Sequence, residues 1–290
     1  MKKLIVAVLL AATLLAGGTN NKALALGQEV EATWLWNLWS IVSNEMQVLA
    51  FLEEKSLNKV YLQIDQDISM GVYRSFIEKA SAKGIQVYAL DGSPQWVAPN
   101  GSTGQNRLMT WLNQYQKAST AIQKFKGVHL DVEPYIYSGW ATNQAETIKS
   151  YQSLLLNAKN STQAMGLPLE ADMPFWFDGI SYKNNYGKGL LAEWVIANTN
   201  SVTIMAYRDN ATQIIELVKN EINMAKKHTK PLVVGVETDF SYEGNNISFF
   251  EEGETYMKGE LEAVKNYYSS FSSFNGIAVH HVDSWMKMKP

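Results

Sequence analysis

The sequence contains no cysteine, which excludes disulfides and also the lipid-modified cysteine that tethers many exported chains to a membrane. Proline is sparse, at seven residues in 290, and no Pro/Ser/Gly-rich stretch reads as a linker between domains. Charge of one sign is not concentrated anywhere. The 25 Lys and Arg nearly balance the 28 Asp and Glu, for a net charge of -3, so there is no electrostatic footprint for nucleic acid or anionic lipid. Beyond the first residues, no segment approaches the roughly 18 uninterrupted apolar residues that a membrane span needs. No HxH or HExxH spacing is present, and nothing in the pattern asks for a metal or cofactor.

What the sequence does have begins at its start. Lys2 and Lys3 precede an apolar run from Leu4 to Ala16, and Ala23-Leu24-Ala25 makes a small-x-small cleavage site; together they read as a secretory signal over residues 1–25. The expected product is a secreted monomer, extracellular or loosely wall-associated. The roughly 265 residues that follow suit one large domain, 26–290. Nine Trp and fourteen Tyr are an unusual supply of flat amphipathic rings, the kind that fill cores and also stack on sugar faces.

Short β-branched or aromatic runs alternate with segments of helical periodicity. Strands are predicted over Thr33–Asn37, Val60–Asp65, Gln86–Asp91, Gly127–Glu133, Leu169–Phe175, Val202–Tyr207, Leu232–Glu237 and Gly276–Val282. Between the first two, Ser43 is placed to cap a helix with Met46, Leu49, Ala50 and Glu53 at helical spacing. Between the next two, Val72, Phe76, Ile77 and Ala80 precede a stop at Gly84. Leu108, Trp111 and Tyr115 read as packing residues of a later helix. Eight strands in this rhythm predict an α/β fold, a (β/α)8 TIM barrel. An open doubly wound sheet would carry a glycine-rich loop after its first strand, and TWLWNLWS has no glycine. The sequence runs only a few residues past strand eight, so the eighth helix is expected to be missing or replaced by a turn.

Side chains alternate faces along a strand. With Val128, Leu130 and Val132 facing the helices, His129, Asp131 and Glu133 point inward, and Glu133 falls at the carboxyl end, where barrel active sites are built. The alternative is a buried ion-pair network against a basic partner. The same parity brings Trp34 and Trp36, Gln63 and Asp65, Glu170 and Asp172, Met205 and Tyr207, and Glu237 and Asp239 toward one mouth. Trp176, Arg208 and His280 join them as candidate binding residues. Asp91-Gly92 is a turn or a ligand. Trp96, in the loop after strand three, is a candidate platform, and Phe249, Phe250, Glu251 and Glu252 form a lid or cover a helix end. An acidic, aromatic pocket suits a neutral oligosaccharide or polysaccharide rather than a polyanion.

FKGVHLDVEPY resembles the strand-four signature of the chitinase-like barrels of glycoside hydrolase family 18, DxxDxDxE. Its last two acids fall on Asp131 and Glu133; Lys126 and His129 stand at the first two positions. IMAYRD is similar to that family's strand-six Met-x-Tyr-Asp, through Met205 and Tyr207, with Arg208 at the aspartate, and Trp285 matches the tryptophan that floors such sites. The resemblance implies Glu133 as general acid, Asp131 steering a substrate N-acetyl group whose carbonyl attacks the anomeric carbon, and Tyr207 hydrogen-bonding that group. His129 is then placed to donate to Asp131. A second pattern, that of retaining barrel glycosidases with glutamates closing strands four and seven, fits Glu133 and Glu237, with Glu237 as nucleophile. Two other readings stand beside these. A metal held by His129, Asp131 and His280 is disfavoured by the spacing, since His281 faces away from His280 on a regular strand. A carbohydrate-binding barrel without turnover is the reading the altered motif favours.

Overall fold

The computed structural model describes residues 29–290, so the signal segment expected over residues 1–25 lies outside the described residues. Eight parallel strands close into a barrel: β1 (Val30–Leu35), β2 (Lys59–Gln63), β3 (Gln86–Asp91), β4 (Gly127–Leu130), β5 (Leu169–Pro174), β6 (Ser201–Met205), β7 (Leu232–Glu237) and β8 (Phe274–His280). Their order around the barrel follows the sequence. β8 closes on β1 with Val30 opposite Gly276 and Thr33 opposite Val279, and the Thr33 hydroxyl donates to the Val279 carbonyl at 2.6 Å. Gly276 sits at φ +115°, and a Cβ there would lie 2.1 Å from the Val30 carbonyl oxygen. Only glycine lets the two strands meet this closely. β4 is shorter than expected: its last ladder contact runs from Asp131 N–H to the Asp91 carbonyl at 3.1 Å, and beyond it Val132 stays in the outer core while Glu133 is half-buried.

The crossover helices are α2 (Glu45–Glu54), α3 (Met70–Ala82), α4 (Thr103–Ala118), α6 (Gln144–Ala164), α7 (Leu191–Asn198), α8 (Ala211–Lys227) and α9 (Glu254–Tyr268), with shorter pieces α1 (Trp39–Ser43), α5 (Gly139–Thr142) and α10 (Val282–Trp285). α3 ends at Gly84 as the sequence predicts, with φ +77°. The start of α2 differs. Ser43 closes α1, Asn44 stands before α2, and the buried face is Val48, Leu49, Phe51 and Leu52, while Met46 is exposed. An antiparallel hairpin of Ser181–Asn184 with Gly187–Leu190, unforeseen in the sequence, follows β5.

After β8 the chain makes only the single turn of α10. Trp285, expected at the floor of the mouth, instead lies buried in the helical layer. It packs edge-on against Phe51 of α2 with centroids 5.5 Å apart, and its indole N–H donates to Glu254 of α9 at 3.2 Å. One large ring thereby fills the gap between α9 and α2 that a full eighth helix would cover. The reason is local: the single turn of α10 sets Trp285 between Phe51 and Glu254.

Two cores result. Val128, Leu130 and Val132 join the layer between strands and helices, and Trp34, Tyr61, Tyr88, Leu90 and Val233 fill the barrel interior. Trp111 and Tyr115 stack in the outer core as expected, with centroids 5.2 Å apart. Trp96 is buried there too, against Gly104, which removes it as an exposed sugar platform.

Candidate active site

The site is built from the barrel interior upward. Lys59, at the start of β2, and Tyr61 point inward, and Lys59 Nζ meets Glu170 Oε1 at 2.8 Å while lying 4.2 Å from the Tyr88 ring centroid. Glu170 Oε2 lies 3.5 Å from His129 Nδ1, and His129 Nε2 lies 2.9 Å from Asp172 Oδ2. Asp172 Oδ2 also accepts from the Trp34 indole at 3.0 Å, and the His129 ring stacks on Tyr61 at 3.7 Å. This is an alternating row of cation, anion, cation and anion in a dry interior. Burial opposes charging His129, but Asp172 and Glu170 outweigh it and raise its pKa to about 9. Burial likewise opposes ionising Glu170, yet Lys59 and His129 hold its carboxyl below the usual range. His129 thus belongs to a buried ion-pair network with Glu170 and Asp172, whose other base is Lys59 on Glu170.

Asp131 and Glu133 stand above that row. His129 turns both ring nitrogens to Glu170 and Asp172, so the expected bond from His129 to Asp131 is not formed, and Asp131 Oδ1 is buried without a hydrogen-bond partner. Four charges in the row already cancel, leaving Asp131 as an uncompensated fifth. Burial first, then the fields of Asp172 and Glu133, push its carboxyl well above the ordinary range, against a weaker pull from His129. Glu133 is half-buried and also raised, by burial and then by Asp172, while the Tyr135 hydroxyl, which donates to Glu133 Oε1, and His280 work against the rise.

A second chain of bonds crosses the mouth between β1, β8 and β7. The Trp36 indole N–H donates to His280 Nε2 at 3.0 Å, and His280 Nδ1 lies 2.8 Å from Glu237 Oε2. An indole only donates, so Nε2 accepts and Nδ1 carries the proton given to Glu237. Glu237 Oε1 accepts from the backbone N–H groups of Thr238 and Asp239 at 2.7 and 2.8 Å. Tyr207, half-buried, sits with its ring 6.2 Å from His280. Burial and then the fields of Glu237, Asp172, Asp131 and Glu133 raise its hydroxyl pKa well above the usual value, so it remains a donor amid four acids.

Other predicted residues fall outside this cluster. Asp65 is exposed, its carboxylate accepting from Asp67 N–H at 2.9 Å to shape a turn. Asp91 does the same for Gly92 N–H at 2.8 Å, and burial raises its pKa to about 6. Asp239 is a rim residue 3.9 Å from His281 Nε2. Arg208 donates to its own neighbour's carbonyl, Tyr207 O, at 2.6 Å and lies over Phe175. Trp176 belongs to a side wall with Tyr135 and Trp140, 5.0 and 6.0 Å away. His281 is not opposed to His280: the strand ends at His280, alternation stops with it, and the two rings lie 4.8 Å apart. Among the described residues, no group of three or more His, Cys, Asp or Glu is arranged to hold a metal ion.

Two solved structures share this architecture over most of its length. One is the C-terminal domain of a protein described as a chitinase, from Desulfitobacterium hafniense, with TM-score 0.56 and 9% identity, covering 89% of this chain and 95% of that one. The other is a spore cortex-lytic enzyme of Bacillus megaterium, with TM-score 0.56 and 11% identity, covering 90% and 73%. The fold is that of the chitinase-like barrels. No protein-family model matches the sequence, and no curated protein is similar to it. Measured against the chitinase-like motif, the position of Lys126 is exposed at the amino end of β4, where its ammonium bonds the Ala121 carbonyl at 3.2 Å. Lys59 and Tyr135 were missed in the sequence. Lys59 lies one residue before the predicted start of strand two, although its shared parity with Tyr61 would have turned it inward; Tyr135 follows Pro134 in a loop with no periodicity to mark it.

Proposed function

We propose that the protein is a secreted glycoside hydrolase acting on an oligosaccharide or polysaccharide that contains N-acetylated sugars, with Glu133 as general acid. The observation that carries this reading is the half-buried Glu133 carboxyl at the end of β4, with its pKa raised and a Tyr135 hydrogen bond orienting it. A carboxyl whose pKa is raised at a barrel mouth is suited to protonating a leaving glycosidic oxygen. As the C–O bond breaks, Glu133 gives its proton to the departing oxygen and the substrate's acetamido oxygen closes on the anomeric carbon. Water then opens that ring and returns a proton to Glu133. Asp131 accepts the acetamido N–H, and the Tyr207 hydroxyl donates to the acetamido oxygen. Trp36 and Trp176 supply apolar surface for sugar faces, while Trp34, 1% exposed, is closed off in the barrel interior.

The bonding of Glu237 favours substrate assistance over a covalent intermediate. Both of its oxygens are taken, one by two backbone N–H groups and the other by His280, which lowers the nucleophilicity a double displacement needs. Glu237 then orients His280 and Trp36.

The test is hydrolysis of labelled oligosaccharides, with and without N-acetyl groups, by the mature protein and by Glu133→Gln. Loss of about 10²- to 10⁴-fold in kcat on N-acetylated substrates, with the fold kept, is the expected result. Cleavage that ignores N-acetylation and stops in Glu237→Gln would return the nucleophile to Glu237. Sugar binding without cleavage by the wild type would make the protein a carbohydrate-binding barrel.

A further inference from the structure

The bonds that cross the mouth between β1, β8 and β7 have a polarity that only one protonation state of His280 allows. Its Nε2 accepts the Trp36 indole proton at 3.0 Å, and its Nδ1 lies 2.8 Å from Glu237 Oε2. A ring with one proton, on Nδ1, satisfies both neighbours. A ring with two protons has donors on both nitrogens, and its Nε2 then stands 3.0 Å from the indole nitrogen with two hydrogens and no acceptor between them. A doubly protonated His280 therefore keeps Glu237 and loses Trp36.

Which side gives way is set by how firmly each is held. Glu237 Oε1 accepts from the backbone N–H groups of Thr238 and Asp239 at 2.7 and 2.8 Å, which fixes the carboxylate. A second proton makes the His280–Glu237 contact a charge-assisted bond, stronger than the neutral one. Trp36 stands one residue beyond the end of β1 and is half-buried, so the indole is the member free to move. The remaining groups around His280 are the Trp34 ring from β1 at 5.3 Å, the Tyr207 ring from the end of β6 at 6.2 Å and the His281 ring at 4.8 Å. From the end of β4, the Glu133 carboxyl lies within reach of the His280 charge. Burial and then the charge of His280 lower the pKa of His281, against pulls from Glu237, Asp283 and Asp239, which disfavours the charged form of that neighbour.

We propose that His280 is a positioning residue that works as an acid-operated latch: with one ring proton it holds the Trp36 indole in the wall of the mouth, and with two it releases it. The inference rests on the glycoside hydrolase reading for its consequence, because Trp36 is then apolar surface that the substrate loses as pH falls. KM rises as His280 takes its second proton, and Glu237 acts on the substrate only through His280 and Trp36.

The experiment is an NMR titration of the mature protein, isotope-labelled at tryptophan and histidine, from about pH 8 to about pH 5, the span in which imidazoles ordinarily change charge. Trp36 and His280 are assigned by the signals lost in Trp36→Phe and His280→Gln. The Trp36 indole N–H resonance is expected to move to higher field with the midpoint at which the His280 ring titrates. It is expected to hold still in His280→Gln, whose amide accepts from the indole but takes up no proton. An indole signal that ignores the titration of His280, or that still moves in a folded His280→Gln protein, overturns the latch. Should either variant fail to fold, the wild-type titration decides, because one indole and one imidazole must share a midpoint. Hydrolysis of N-acetylated oligosaccharides is scored separately, with KM expected to rise about fivefold across that midpoint in the wild type and to stay level in His280→Gln. A level wild-type KM while the two signals move together overturns the positioning role. A shared midpoint without cleavage keeps the latch and removes the hydrolase; cleavage with an indole that does not respond keeps the hydrolase and removes the latch.

Discussion

At the scale of single residues, the interior row of Lys59, Glu170, His129 and Asp172 explains why the carboxyls of Asp131 and Glu133 are pushed above the ordinary range. The row is electrically closed, so any further buried negative charge is uncompensated, and the pKa values of the two acids above it rise. Lys59→Met breaks that closure and leaves Glu170 with only His129. It is expected to cost about 3–5 kcal/mol in urea denaturation, and Lys59→Met combined with Glu170→Leu is expected to recover most of the loss, because removing both partners removes the stranded charge. A double mutant no more stable than the single would show that Lys59 acts through packing on Tyr88 instead. Of this cluster, Asp131, Glu133, Asp172, Tyr207, Glu237 and His280 are legible from strand parity alone. Lys59 and Tyr135 are not, since one sits outside the predicted strand and the other beyond the end of all regular structure.

At the scale of elements, β3 and β4 are locked together next to the site. A Cβ on Gly92 would lie 1.7 Å from the Asp131 carbonyl oxygen, so Gly92→Ala must push the β4 end, and with it Asp131 and Glu133, out of position. A displacement near 1 Å is expected to lower kcat/KM by about 100-fold, and steady-state kinetics beside a thermal melt will separate that from unfolding. Trp285 makes the opposite case. Because it seals the helical layer between Phe51 and Glu254, Trp285→Ala is expected to cost about 3–5 kcal/mol of stability while KM and kcat hold. A collapse of kcat in a folded Trp285→Ala protein would restore it to the floor of the site. The motif match was blind to this difference, since α10 decides which way the ring points and four residues of helix leave little periodic signal.

At the scale of the whole molecule, the barrel core carries a pH dependence of stability. His129, raised from 6.5 to about 9, contributes stability that is complete below about pH 6.5 and is lost as pH rises through about 9. Glu170, lowered from 4.5, contributes stability that is present above about pH 4.5 and is lost as pH falls through its depressed value. The melting temperature is therefore expected to fall between pH 7 and 10 more steeply than in His129→Gln, and the His129 ring signal to titrate near pH 9 by NMR. A ring that titrates near 6.5 would dissolve the charged row and the account of Asp131 built on it.

The barrel itself was written in the sequence, because strand and helix periods are local and a parallel barrel repeats one local unit eight times. Binary pattern and β-branched content suffice to mark each strand, and parity along β4 and β5 suffices to turn their acids inward. Which of those acids pair with a base, which stay protonated, and which lie on the rim were decided only by closure of the barrel. Lys59 and Glu170 are 111 positions apart, Trp36 and His280 are 244 apart, and no local rule couples residues at such distances. Charge state follows from burial and neighbours in three dimensions, and so the chemistry of Glu133 became readable only once β1 had met β8.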